Sequence, residues 1–250
     1  MFYRYKLVIS YDGYDYSGFQ AQEGLKTIEG TINNLLYEWL KKDIKIVGSG
    51  RTDKMVHARG QVVHIDLDFE IKCYNLKETL NRHLPLDIRV LDVSRVNEDF
   101  HARFSAIKKT YSYKINIKEY DVFSNRYAPL ILSLDLDSMI KASKFLIGTH
   151  NFKALCSGDI DPRKDLTKTI FDINVIKDDK FVTFYFTGNG FLKYQVRRMM
   201  GLLIDVGLHK KNIEDVKLIL ESKNNQLSNK MAEPYGLCLE TVYYNENYEN

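Results

Sequence analysis

The chain has 250 residues, 44% of them hydrophobic and 28% charged, with a formal net charge of +3. That composition excludes a disordered chain and leaves room for one large domain or two modest ones. Charges interrupt the apolar run of the opening MFYRYKLVIS, so neither a signal peptide nor a membrane span is expected, and the cytoplasm is the expected compartment.

A charge of +3 is too mild to establish nucleic-acid binding, so local clusters carry more weight. Lys108 with Lys109, Arg163 with Lys164 and Lys168, Arg197 with Arg198, and His209-Lys210-Lys211 gather mostly in the second half. Acidic residues collect at Asp178-Asp179 and in the terminal NENYEN. The three cysteines, Cys73, Cys156 and Cys238, have no CxxC spacing and read as reduced thiols rather than disulfides or zinc ligands. His57, His64 and His83 lack the pairing of HExxH, so no metal is expected.

In chain order, YKLVISYD (5–12) reads as a strand and Thr27 as the N-cap of a helix whose Ile28, Ile32, Leu35, Leu36 and Trp39 share one stripe. Lys45 to Gly48 and Gln61 to Leu67 read as strands flanking the loop GSGRTDKMVHARG. A helix near Leu76 to His83 and a strand from Ile88 to Val96 complete the order strand, helix, strand, strand, helix, strand, which is the ferredoxin-like split unit.

The second half repeats it. KKTYSYKINIK (108–118) alternates Tyr111, Tyr113, Ile115 and Ile117 against Ser112, Lys114, Asn116 and Lys118. A helix is expected around Asp137 to Ile147, then a hairpin of Lys168 to Lys177 and Lys180 to Gly188. A long helix follows, with Leu192, Val196, Met199, Leu203 and Val206 on its apolar stripe. A further helix after Asn212 and a strand from Leu237 to Tyr244 end the chain. The expected fold class is α+β: two ferredoxin-like (βαββαβ) units, 1–104 and 105–250, with mainly antiparallel sheets joined edge to edge, helices packed on one side and a cleft between the units.

Within the first loop, Asp53 follows a Gly-Ser-Gly turn, and Arg51 offers a local positive charge that would keep it ionised as a nucleophile or base. An Asx-turn or strand-end cap is the competing structural reading. On the long helix, Tyr194, Arg197, Arg198 and Gly201 face away from the stripe. An exposed Arg197 beside a small residue suits a carboxylate or phosphate, against the plainer reading of a surface arginine. Tyr111 and Tyr113 also read as core aromatics. KFVTFYF (180–186) faintly resembles the aromatic RNP1 strand of RNA-recognition motifs, against a simple hairpin strand.

GRTDKMVHARGQV resembles the GRTDxGVHAxGQV signature of the TruA family of tRNA pseudouridine synthases. YDGYDYSGFQAQ, DFHARFSAIKKTYSY, NFKALCS, FLKYQVRRMMG and EPYGLCLE resemble further family segments in family order. The resemblance implies two ferredoxin-like halves and a homodimer binding tRNA. It implies isomerisation of uridine to pseudouridine in the anticodon stem-loop without a nucleotide cofactor, other cofactor or metal. It also implies that Asp53 is the catalytic aspartate, Arg51 helps extrude the nucleotide, Tyr111 lies against the target base, Arg197 pairs with Asp53, and Leu237 is an apolar contact beside it. Lys108, Lys109 and Arg198 are further expected substrate contacts. The chain departs from the pattern at Met55, where the family usually has glycine, and at Lys54, where bacterial members usually have alanine. A side chain in place of glycine would alter the loop backbone or narrow the pocket.

The chemistry fits such residues. The N1–C1′ bond breaks, the uracil turns over and rejoins through C5, and neither electrons nor water are consumed. Asp53 could attack C1′ or the uracil, or remove the 2′ proton. An arginine can hold the carboxylate through two parallel hydrogen bonds, and the base must be drawn from its stack. The alternatives are a synthase acting on another RNA such as ribosomal RNA, a non-catalytic tandem RNA-binding module, and an enzyme using GSG as an anion turn.

Overall fold

The computed structural model describes residues 2–160, 163, 165–228, 230–245 and 248. Lys164 and most of the acidic tail lie outside the described residues. The structure is mixed α and β, with helices and mostly antiparallel strands. The chain clusters into two compact units, one of residues 1–107 with 238–250 and one of residues 108–237.

In the first unit, β1 (Tyr3–Tyr11) pairs antiparallel with β3 (His57–Leu67) on one side and β4 (Ile88–Arg95) on the other. The alternation of YRYKLVISY explains this position, because Tyr5, Leu7, Ile9 and Tyr11 all turn inward and are buried. The helix α1 (Ile28–Leu40) buries Ile28, Ile32 and Leu36. Leu35 and Trp39 are only half-buried. Thr27 caps the helix as expected, its hydroxyl accepting from Gly30 N at 3.2 Å. Truncating Leu36 to alanine would cost about 2–5 kcal/mol. The second helix, α2 (Cys73–His83), buries Leu76 and Leu80 and ends at Leu84, whose extended backbone suits the proline that follows.

Two strands of this unit differ from the sequence reading. The expected strand over 45–48 shrinks to β2 (Val47–Gly48), because the amide of Ile46 donates to Asn33 Oδ1 at 2.9 Å rather than to a ladder. The strand expected from Gln61 begins at His57 instead. His57 and Ala58 pair in parallel with Cys238 and Leu239 of β9 (Leu237–Tyr244), a partner about 180 residues away that local pattern cannot reveal.

The second unit is an antiparallel run in the order β5 (Ala106–Asn116), β8 (Phe181–Gly188), β7 (Thr167–Lys177) and β6 (Gly148–Asn151). The sequence reading missed β6, since GTHN carries no apolar alternation. The expected helix over 137–147 is α3 (Leu136–Ser143) followed by a short 3-10 turn. The long helix is α4 (Gln195–Gly207), with α3 packed against it, and α5 is Asp215–Ser222. The α4 stripe is buried as expected, but Met200, Leu202 and Ile204 are buried too, so this helix is enclosed on more than one side. On β8, Val182, Phe184 and Phe186 are all 0% exposed. Phe184 and Phe186 of KFVTFYF are therefore core rings of the hairpin, sealed where they cannot stack on bases, while Phe181 and Tyr185 on the other face are half-buried.

Candidate active site

The loop between β2 and β3 is anchored by a buried polar network beneath it. Ser49 N donates to Val62 O at 2.8 Å, and its hydroxyl donates to Gln61 Oε1 at 2.6 Å. The Gln61 carboxamide nitrogen donates to Gly50 O at 3.0 Å. Tyr11, at the end of β1, meets the Thr52 hydroxyl at 2.8 Å. Burial raises the Tyr11 phenol above its ordinary value, so it stays neutral. Ser49 and Thr52 are thus buried, Arg51 is exposed and Asp53 is half-buried.

A second segment, 13–19, closes on the same loop from the other side. Phe19 N donates to Thr52 O at 3.1 Å, and Met55 N donates to Tyr16 O at 3.2 Å. Contact here is tight enough to require glycine at two places. A Cβ on Gly13 would lie 1.9 Å from Val56 O, and one on Gly18 (φ +100°) would lie 3.0 Å from Thr52 O. The carbonyls of Gly18 and Phe19 accept from Ile28 N and Glu29 N, which ties the segment to the first turn of α1. His57 Nδ1 lies 3.0 Å from Asp12 Oδ1, linking the start of β3 to the end of β1.

Asp53 opens a turn in which Val56 N donates back to Asp53 O at 3.2 Å. The third residue of that turn is Met55, with φ of +65°. This is the conformation that glycine adopts without cost, as in type II turns. The methionine accepts this left-handed geometry at about 1 kcal/mol. Arg51, expected to offer Asp53 a nearby positive charge, is exposed on the same loop.

The remaining expected site residues lie in the second unit. Tyr111 is 9% exposed on β5, with its ring edge-to-face on Phe191 at 5.2 Å. Lys108 and Lys109, at the start of β5, are half-buried. Arg197 corrects the expectation of an exposed residue. It is half-buried, its Nε donates to Ala232 O at 2.9 Å, and its own carbonyl accepts from Ala232 N at 3.0 Å. Arg198 is held likewise, Nη1 donating to Ser228 O at 2.7 Å and to Asn225 O at 3.2 Å. Gly201 does not leave room for a ligand, since a Cβ there would lie 2.4 Å from Lys230 O. Its missing side chain admits the 230–232 backbone instead. Leu237 is 5% exposed.

Arg51 and Asp53 thus lie in the first unit, and Tyr111, Arg197, Arg198, Lys108, Lys109 and Leu237 in the second. Sequence reasoning passed over Tyr11, Gln61 and Phe191. Only the alternation of β1, which turns Tyr11 inward, gave any signal for them. Among the described residues, no group of three or more His, Cys, Asp or Glu side chains is placed to hold a metal ion. None of the described helices is long and apolar enough to cross a membrane.

Known proteins resemble this chain along nearly its whole length. The tRNA pseudouridine synthase named "tRNA pseudouridine synthase A" of Oceanobacillus iheyensis is 41% identical over 252 residues, covering 99% of each chain. Its namesake in Geobacillus sp. (strain WCH70) is 39% identical, covering 96% of this chain and 98% of that one. The namesake in Limosilactobacillus reuteri is 37% identical, covering 99% of each. Among solved structures, a chain of "Crystal Structure of a Cbf5-Nop10-Gar1 Complex" aligns at 12% identity with a TM-score of 0.37, covering 94% of this chain and 57% of that one. That likeness is too slight to bear on function. The family described as tRNA pseudouridine synthase matches residues 7–105 and 142–245, well over half of the chain. With relatives this similar over their full length, the chain belongs to the tRNA pseudouridine synthase family.

Proposed function

We propose that the protein isomerises uridine to pseudouridine in tRNA, within the anticodon stem-loop, with Asp53 as the nucleophile or base. The observation that carries this reading is the presentation of Asp53: a half-buried carboxylate on a loop whose neighbouring residues are gripped from below, two residues beyond an exposed arginine. A connecting loop has no need of such anchoring, whereas a reacting group must be held within fractions of an ångström.

In this reading Arg51, exposed and unengaged among the described residues, enters the RNA stack as the target nucleotide leaves it, an extrusion that costs a few kcal/mol. Tyr111 packs against the target base, with Phe191 fixing its ring, and Leu237 supplies an apolar surface. Arg197 answers the charge of Asp53. Its Nε is already fixed by Ala232, so the guanidinium is preoriented rather than free to search. Lys108, Lys109 and Arg198 hold phosphates, which makes binding salt-sensitive.

The isomerisation is redox-neutral. Asp53 either bonds to C1′ or the uracil, or takes the 2′ proton. The glycosidic electrons leave with the uracil; C5 then bonds to C1′ as the bond to Asp53 breaks or the 2′ proton returns, the C5 hydrogen goes to solvent, and N1 takes a proton from solvent. No co-reactant is required. The finer architecture, two ferredoxin-like units over 1–104 and 105–250, belongs to the same proposal, as do a homodimer and a cytoplasmic setting.

The test is tritium release from tRNA transcripts labelled at uridine C5. The wild-type protein releases tritium from tRNA, and Arg197→Lys loses about 100-fold in turnover, because a point charge cannot reproduce a bidentate pair. Absence of release from any tRNA by a folded wild-type protein contradicts the reading.

A further inference from the structure

We infer that Tyr11, Thr52 and Gln61 form a positioning device for Asp53, with the Tyr11–Thr52 hydrogen bond as its central link. The inference rests on the reading of Asp53 given above and adds residues that carry no part of the chemistry themselves.

Tyr11 and Gln61 stand on adjacent strands of the first unit and are buried at 3% and 0% exposure. From there they grip the loop at two alternate residues: Gln61 Nε2 holds Gly50 O at 3.0 Å, and Tyr11 holds the Thr52 hydroxyl at 2.8 Å. Gln61 Nε2 also lies 3.5 Å from the Tyr11 oxygen, and Ser49 secures the other end of the same carboxamide at 2.6 Å. The gripped residues flank Arg51, and Thr52 immediately precedes Asp53. Holding 50 and 52 down fixes which way 51 and 53 project.

The Tyr11–Thr52 and Ser49–Gln61 bonds join buried groups, so losing one partner leaves the other short of a hydrogen bond away from water. The loop relieves that loss by shifting, and a shift of about 1 Å in a reacting group costs roughly 100-fold in rate. The rest of the fold has little need of the bond, because the β1–β3 and β1–β4 ladders and the apolar core hold Tyr11 independently.

The experiment compares Tyr11→Phe, Thr52→Val, Thr52→Ser and the double variant Tyr11→Phe/Thr52→Val with wild type and Asp53→Asn. Steady-state kinetics are measured on tRNA, with near-ultraviolet circular dichroism as the control for folding. Tyr11→Phe and Thr52→Val each lower kcat by about 10- to 100-fold with KM within about 2-fold, and Thr52→Ser, which restores the hydroxyl, returns kcat to near wild type. The double variant is no worse than the poorer single one, because both break the same link.

Unchanged kcat in Tyr11→Phe, with Asp53→Asn inactive, overturns the inference and leaves the reading of Asp53 standing. A change confined to KM also overturns it, since the network would then serve RNA binding through Arg51. Wild-type turnover by Asp53→Asn sinks the underlying reading instead. Should Tyr11→Phe fail to fold, the Thr52→Val and Thr52→Ser pair decides the matter by the same criteria.

Discussion

The loop around Asp53 and the helix carrying Arg197 hold functional side chains still by opposite means. On α4 the backbone is rigid by its own hydrogen bonds, burial encloses Met199, Met200, Leu202 and Leu203, and Arg197 and Arg198 are then trimmed into place by the carbonyls of Asn225, Ser228 and Ala232. The loop has no such ladder. Side chains from β1 and β3 hold it from below, and the 13–19 segment closes on it from the other side. A helix supplies precision through regularity, whereas a loop needs individual bonds from distant residues.

This contrast can be broken most forcefully at the two glycines where backbone meets backbone. Gly13→Ala would set a Cβ 1.9 Å from Val56 O, against 2.4 Å from Lys230 O for Gly201→Ala. Overpacking of this kind costs about 1–3 kcal/mol or somewhat more. Urea unfolding should place Gly13→Ala below Gly201→Ala in stability. Gly13→Ala should also lose activity beyond its loss of folded protein, because Val56 closes the turn begun by Asp53. Wild-type stability in Gly13→Ala would show that the 13–19 segment is not pressed onto the loop.

A smaller effect concerns the strand behind the loop. His64 on β3 is buried, its Nδ1 accepting from Ala102 N at 3.2 Å, and burial followed by the charge of Arg4 holds its pKa down at about 4. His101 opposes protonation as well, and Asp66 favours it weakly. The unfolded chain takes up this proton near the ordinary value of 6.5 and the native chain does not. The stabilisation is therefore complete above about pH 6.5 and is lost as pH falls toward 4. The urea midpoint should drop between pH 7 and pH 5, and drop less in His64→Gln. An equal drop in both proteins would place the acid sensitivity elsewhere.

Smallest is the turn itself. Met55→Gly removes a side chain from a residue with φ of +65° and should raise stability by up to about 1 kcal/mol, visible as a modest rise in Tm. A fall in Tm would mean that the methionine side chain contributes packing that outweighs the strain.

The same contrast governs how much the sequence revealed. The α4 stripe and the Thr27 cap were legible because their causes are local: a spacing of three and four residues, and a hydroxyl three residues from the amide it caps. The Tyr11–Thr52 bond spans 41 residues and the Tyr11–Gln61 contact 50, so no window of sequence contains them. Arg197 was misjudged for a related reason. Periodicity placed it off the apolar stripe, but the 230–232 segment that covers it comes from further along the chain. The GRTD motif was legible as a resemblance, and it named Asp53 without indicating what holds that residue in place.

The most direct test of the central claim is the Asp53→Asn variant, assayed for tRNA binding and for tritium release from uridine labelled at C5. The exchange keeps the size of the side chain and removes its charge. Binding within a few-fold of wild type, with release reduced by three orders of magnitude or more, roughly the loss of a catalytic group, is the predicted result. Release at the wild-type rate would contradict it.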